Sequence, residues 1–387
     1  MTTLLDSLYE EVGALWKNHS APRTKRAFRC RCERSVFFRN SQCLGCGSEL
    51  GYEPRAGELR PLEPGPDAGT WRLHGDPAAV TYRRCANFDS VAGCNWLLRA
   101  DENGDHCIAC RLNRTIPDLS DPDNQRYWRA IENAKRRLVS QLLALGLPVE
   151  SRLDNRTQGL VFDFLRSPPD GPRVMTGHAG GVITINAEEA DDAKREQIRH
   201  ELHEPYRSLL GHFRHEVGHY YWDRLIAGTR WQEPFRALFG DERDDYGAAL
   251  KSNYENGPPP DWREHHISSY ASTHPWEDWA ETWAHFLHIL DSLDTAIAHG
   301  LDAEDLETEV EPYTRADLYD PDHPSADRAI GLLNAWLEMV TLMNEMARSM
   351  GEPDFYPFVM SRPVVKKLDF VRVVVNDPER LASTARG

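Results

Sequence analysis

All eight cysteines of this 387-residue chain lie between Cys30 and Cys110. They fall into two groups of four: Cys30, Cys32, Cys43 and Cys46, then Cys85, Cys94, Cys107 and Cys110. Each group ends in a Cys-x-x-Cys pair, CLGC and CIAC. A turn at that spacing lets two thiolates face one ion, and two such pairs make the tetrahedral thiolate cage that suits zinc. The leading pairs depart from this spacing, with one residue between Cys30 and Cys32 and eight between Cys85 and Cys94. Disulfides are the competing reading. The opening MTTLLDSLYEEVGALW has no basic run and carries Asp6, Glu10 and Glu11, so it does not read as a secretory signal. A reducing cytoplasmic setting is therefore expected, and disulfides are rare there. The expectation is two structural zinc sites that fold a segment lacking an adequate core of its own.

Composition bounds the rest. Hydrophobic residues make up 40% of the chain, enough to build cores and to exclude wholesale disorder. No stretch approaches the roughly 18 apolar residues of a membrane span. The net charge of −16 is unevenly spread: residues 1–150 hold 21 basic and 19 acidic side chains, residues 151–387 hold 24 and 42. The second part would repel a phosphate backbone, so nucleic acid is disfavoured as a partner.

Residues 1–27 are predicted to form an amphipathic helical extension, with Leu5, Leu8, Val12, Leu15 and Trp16 at helical spacing. Residues 28–116 form the cysteine-bearing module, in which the Pro- and Gly-rich stretch 55–69 reads as a linker. In residues 117–387 a helix is predicted from Asp123 to Leu147, ended by Gly146 and Pro148. Strand-like runs follow at LVFDFL (160–165) and GVITIN (181–186), then a charged helical segment over 188–203. Helices are predicted over 204–226, from Pro275 to His299 and over 326–350, with 228–262 irregular. The apolar tail 363–375 is ambiguous between helix and strand.

The first of these later helices carries His215-Glu216-Val217-Gly218-His219, an HExxH motif. By composition, a chance occurrence is an event of about one in twenty. On a helix, His215 and His219 project from adjacent turns and can grip one zinc. Glu216 sits where it can take a proton from a water that the ion polarises. A third ligand is on offer in SSYASTHPWEDWAETWAHFLH, where Ser272 or Thr273 can cap a helix and Glu277 and Glu281 lie one turn apart. Glu277 is the chosen ligand, leaving one position open, and Glu281 would orient a ligand histidine. The reverse assignment stays open. Asp278 reads as solvated or capping. Tyr270 could donate to an oxyanion, although by spacing alone a tyrosine there is packing. His212, His285 and His288 share helix faces with these groups without an assigned role, and the Gly-rich loop around His178 is assigned none.

HEVGH followed by EDWAE resembles the gluzincin metallopeptidases, and YASTHPWEDWAETWAHFLH resembles lethal-factor-type catalytic domains. That resemblance implies a catalytic role for Tyr270, a ligand role for Glu277 and a supporting one for Glu281. More of the chain, about residues 28–375, resembles a bacterial family of zinc-binding metallopeptidases with an N-terminal zinc ribbon. FFRNSQCLGCGSELGYEP, CANFDSVAGCNWL, CRLNRTIPDLSDP, LLGHFRHEVGHYYWDRL and HPWEDWAETWAHFLHILD carry it. The implied fold is α+β: a zincin-type metallopeptidase domain, mostly helical with a small sheet, behind a zinc-ribbon-like module. The implied cofactors are one catalytic and two structural zinc ions, and the partner is a peptide or protein substrate. GVITIN would then be an edge strand onto which an extended substrate adds. The rival readings are a catalytically silent zinc-stabilised adaptor and a protease recruited to nucleic acid through its zinc ribbon.

Overall fold

The computed structural model describes residues 27–168, 170–201, 207–301, 310–377 and 379. Apart from Ala27, the helix expected over residues 1–27 lies outside them. The described residues up to Phe213 form one compact unit and those from Arg214 onward another. The architecture is mixed α+β, with a Cys-rich module built on small sheets and a mostly helical remainder. Among the described residues no helix is long and apolar enough to cross a membrane.

In the first unit a short hairpin, β1 (Phe28–Arg29) and β2 (Ser35–Val36), carries Cys30 and Cys32, and the CLGC turn after it carries Cys43 and Cys46. A five-stranded antiparallel meander follows: β3 (Leu50–Glu53), β4 (Glu58–Pro64), β5 (Thr70–Leu73), β6 (Tyr82–Arg84) and β7 (Leu97–Arg99). β4 runs through the stretch expected to be a linker. Its glycines serve turns instead, Gly57 and Gly69 taking positive φ at the strand ends. Tyr52 and Trp96 are fully buried, their rings 4.9 Å apart, and the Trp96 carbonyl accepts from the Cys85 amide.

Next comes β8 (Asn113–Thr115), then α1 (Pro122–Ala144), capped by the Asp121 side chain on the Asp123 amide. β9 (Val161–Leu165), β10 (Gly177–Ala179) and β11 (Val182–Asn186) complete a four-stranded sheet in the order β10-β11-β9-β8. GVITIN is therefore not an edge strand. Gly180 and Gly181, both at positive φ, fold β10 back onto β11, which pairs on its other side with β9. α2 (Asp192–Glu201) and the start of α3 (Leu209–Leu225) end this unit.

The second unit takes the rest of α3 and then α4 (Gln232–Phe239), α5 (Tyr246–Asn256) and α6 (Trp262–His265), followed by α7 (Pro275–Ala298), α8 (Ala326–Ser349) and α9 (Arg362–Asn376). The segment expected to be irregular holds α4 and α5, which are too short to show a sustained period. Asp245 caps α5 through the Ala248 amide. The ambiguous tail is helical: Pro363 presets its first turn, and Val364, Leu368 and Val371 are buried. On α8 the buried face runs through Leu332, Leu333, Trp336, Met339 and Val340.

α3 and α7 run against each other. They come close at Gly218, where an added Cβ would stand 3.0 Å from the Ala280 Cα. Trp279 Nε1 donates to the Gly218 carbonyl at 2.8 Å, and Tyr221 stacks on Trp283 at 5.0 Å. At the other end Arg214 donates to Asp291 at 2.7 Å, both groups buried. A side chain at 218 would separate the helices. Gly218→Ala is expected to destabilise this unit by about 1–3 kcal/mol, read from chemical denaturation. An unchanged midpoint would contradict the packing described.

Candidate metal centres

The two cysteine groups assemble as the sequence orders them. Within each set the four sulfurs lie within 4.8 Å of one another. Cys30 and Cys46 stand 3.5 Å apart, Cys32 and Cys43 3.7 Å, Cys94 and Cys107 3.7 Å. A disulfide would require ~2.05 Å, and all eight are free thiols. A tetrahedron of sulfurs ~2.3 Å from zinc has edges of ~3.8 Å, so the spacing fits that ion. Surrounding donors fit too. Ser48 Oγ lies 3.0 Å from Cys46 Sγ and draws that thiol down to about 6. The second set is buried, and desolvation pushes the Cys107 thiol well up, so its sulfurs can become thiolates only with a cation beside them. α1 brings buried charges to this set: Arg136 is influenced by Cys94, Cys107 and Cys110, and Glu132 accepts from Lys135 at 2.6 Å.

A third cluster joins α3 to α7. His215 Nε2 and His219 Nε2 are 3.2 Å apart, and Glu277 Oε2 lies 3.0 Å from the first and 3.6 Å from the second. Glu277 is 1% exposed, and among the described residues its Oε2 has no hydrogen-bond partner. Three donor atoms ~2.0–2.1 Å from a tetrahedral zinc would sit ~3.3 Å apart, close to the observed triangle. The outer contacts fix the orientation. His215 Nδ1 lies 2.7 Å from Glu281 Oε1, so its N–H donates outward and Nε2 turns a lone pair inward. Ser268 Oγ donates to the other Glu281 oxygen at 2.7 Å. The Tyr246 hydroxyl donates to Glu277 Oε1 at 2.6 Å.

The electrostatics agree with a cation site. Burial opposes charge on His215, but the carboxylates of Glu277 and Glu281 outweigh it and hold its pKa well above the usual value. Burial likewise opposes charge on Glu277 and Glu281, but the imidazoles win: Glu277 falls well below the usual range and Glu281 to about 2. Two ionised carboxylates thus surround two imidazoles in a site sheltered from water.

Glu216 is buried, and its charge is felt by both Tyr246 and Tyr270. The Tyr270 ring centre is 5.9 Å from that of His215. Burial first, then the charge of Glu277, pushes the phenols of Tyr270 and Tyr246 well up, so both remain donors. Tyr246 and Ser268 were not anticipated. Asp245 as an N-cap and the SSY triplet were the available signals, but neither reaches the cluster by local spacing.

Other expectations are revised. His274, not Ser272 or Thr273, caps α7: its Nδ1 accepts from the Trp276 amide while Nε2 lies 3.1 Å from the Asp244 carbonyl. Asp278 is neither solvated nor a cap; it is 1% exposed and accepts from Lys367 at 2.6 Å. His285 lies 2.7 Å from the Tyr356 hydroxyl, and burial lowers it to about 4. His288 lies 2.6 Å from Arg214, and His212 pairs with Glu189.

Residues 124–374 match the family described as "Putative zinc-binding metallo-peptidase", and residues 27–121 match a zinc-ribbon domain. The chain belongs to this metallopeptidase family. It is similar to uncharacterized proteins of Mycobacterium bovis and of two strains of Mycobacterium tuberculosis, at 41% identity over 354 residues covering 91% of this chain and 96% of theirs. No solved structure gives a significant match. In a member of a zinc-binding family, the two sulfur sets and the His215–His219–Glu277 triangle are the groups among the described residues that fit the ion.

Because Trp96 is fully buried and its carbonyl accepts from the amide of Cys85 in the second set, stripping zinc with a chelator under reducing conditions is expected to loosen the module and expose that indole. The check is a Trp96→Phe comparison of tryptophan emission. A red shift in the native protein that is absent or reduced in the variant is expected. Emission unmoved by the chelator would contradict a structural role for the ion.

Proposed function

We propose that the chain is a gluzincin-like zinc metallopeptidase that hydrolyses peptide bonds, with His215, His219 and Glu277 as ligands of its catalytic zinc. The observation that carries this is the inward-facing triangle of Nε2, Nε2 and carboxylate oxygen, oriented from outside by Glu281 and Tyr246. Two cysteine-bound zinc ions hold the module of residues 28–116, and residues 117–387 form the catalytic domain; the family matches over 27–121 and 124–374 support that division. Eight free thiols support a cytoplasmic setting.

Zinc in this site would supply Lewis acidity, lowering the pKa of a water to about 7. The protein groups do the rest. Glu216, beside the triangle, takes the proton of the attacking water and passes it to the leaving amine nitrogen. Tyr270 donates to the substrate carbonyl oxygen as that oxygen gains charge. Glu281, braced by Ser268, keeps the proton of His215 on Nδ1. Tyr246 holds Glu277 by its outer oxygen, freeing Oε2 for the ion.

Glu216→Gln keeps the side-chain volume and removes the base. With native zinc content, it is expected to lower cleavage of a peptide library by at least about 10²-fold. Equal turnover by variant and wild type would dispose of the mechanism.

A further inference from the structure

The near-neutral charge of residues 1–150 hides a local concentration of cations. Residues 23–39 carry seven basic side chains against one acid, Glu33. Of these, Arg29, Arg31, Arg34 and Arg39 are described, and all four are exposed. None is ion-paired with a described acidic side chain. In the neighbouring meander, Arg55, Arg60, Arg83, Arg84 and Arg99 each meet a carboxylate.

These arginines belong to the wall of the first cysteine set. In the β1–β2 hairpin Phe28 and Val36 face inward, so Arg29, opposite Ser35, faces out. Arg31 lies between Cys30 and Cys32. Arg34 lies across the CLGC turn: a Cβ on Gly45 would stand 2.3 Å from its Cδ. Beside it Leu44 is 95% exposed, and Phe37 from the hairpin is 66% exposed. Four exposed guanidinium groups with no described carboxylate partner, Arg29 meeting only the Glu33 carbonyl, thus share residues 29–44 with a bare aromatic ring and a bare aliphatic side chain, on a chain whose net charge is −16.

We propose that this face of the first cysteine set binds single-stranded nucleic acid. Guanidinium forks match phosphate oxygens in pairs. An exposed phenyl ring offers a stacking platform that accepts any base. An acidic peptide would satisfy the charges but has no use for the ring. A duplex is disfavoured because β1 and β2, at two residues each, supply no element that fills a major groove. The acidic remainder of the chain opposes a polyanion at long range, so affinity must come from these local contacts. This departs from the expectation drawn from averaged charge, and it stands apart from the proposed peptidase chemistry.

The test uses the full-length, zinc-loaded protein and a fluorescein-labelled oligothymidylate, with anisotropy followed across salt concentration. Binding is expected, with a log–log salt slope of about −3 if four phosphates are each neutralised at ~0.7. Arg31→Ala/Arg34→Ala/Arg39→Ala should weaken binding by more than about tenfold and flatten the slope. Phe37→Ala should weaken it by about tenfold and leave the slope unchanged. Native zinc content and far-UV circular dichroism establish that each variant is folded. The proposal is overturned if the wild type does not bind at low salt or if the folded variants bind like wild type. Equal displacement by polyglutamate would point instead to an acidic protein partner and overturn it. So would tighter binding of a mixed-sequence duplex.

Discussion

The second unit depends on one close approach. At Gly218 the backbone of α3 comes so close to Ala280 on α7 that even a Cβ there would crowd it. That contact lies inside the HExxH motif and one turn beyond Glu277. It therefore sets how far the imidazoles on one helix stand from the carboxylates on the other. Trp279, the Tyr221–Trp283 stack and the Arg214–Asp291 pair hold the crossing along its length. The burial that makes the packing firm also removes water from His215 and Glu277. Their charges are then settled by one another rather than by solvent.

Much of the cluster was legible because helix geometry converts spacing into direction. Residues four apart on α3 and on α7 face one way, so His215, His219, Glu277 and Glu281 could be grouped before any coordinates. The choice between the two glutamates needed the structure, since both lie on the same face; Glu277 Oε2 faces both imidazoles while Glu281 holds the far nitrogen of one. Tyr246, Ser268 and Lys367 escaped because each reaches α7 from a distant or short element. α5 is only 11 residues long and has no buried face of its own, so no period announced it. Asp278 was misread because a carboxylate in a first helical turn suits a cap equally well; only α9, distant in sequence, supplies the lysine that buries it.

In the first unit, cysteine spacing located both sulfur sets, and the strands 161–165 and 182–186 followed from their apolar runs. The rest was masked by composition. Prolines and glycines in 55–69 suggested a linker, yet β4 tolerates Pro61 and Pro64 between neighbours on both sides. Buried Glu132, Lys135 and Arg136 look like a solvated face in sequence, but Lys135 and Arg136 share the Glu132 carboxylate beside the second sulfur set, whose sulfurs Arg136 also feels. Averaging charge over 150 residues likewise concealed the arginine-rich face around the first.

On the proposed reading, α3 and α7 together make a third zinc site, distinct from the two sulfur sets. Anomalous scattering at the zinc absorption edge, from crystals of the zinc-loaded protein, tests it most directly. Three peaks are predicted, one of them bounded by His215 Nε2, His219 Nε2 and the Glu277 carboxylate. Peaks at the cysteine sets with none between the two helices would contradict it.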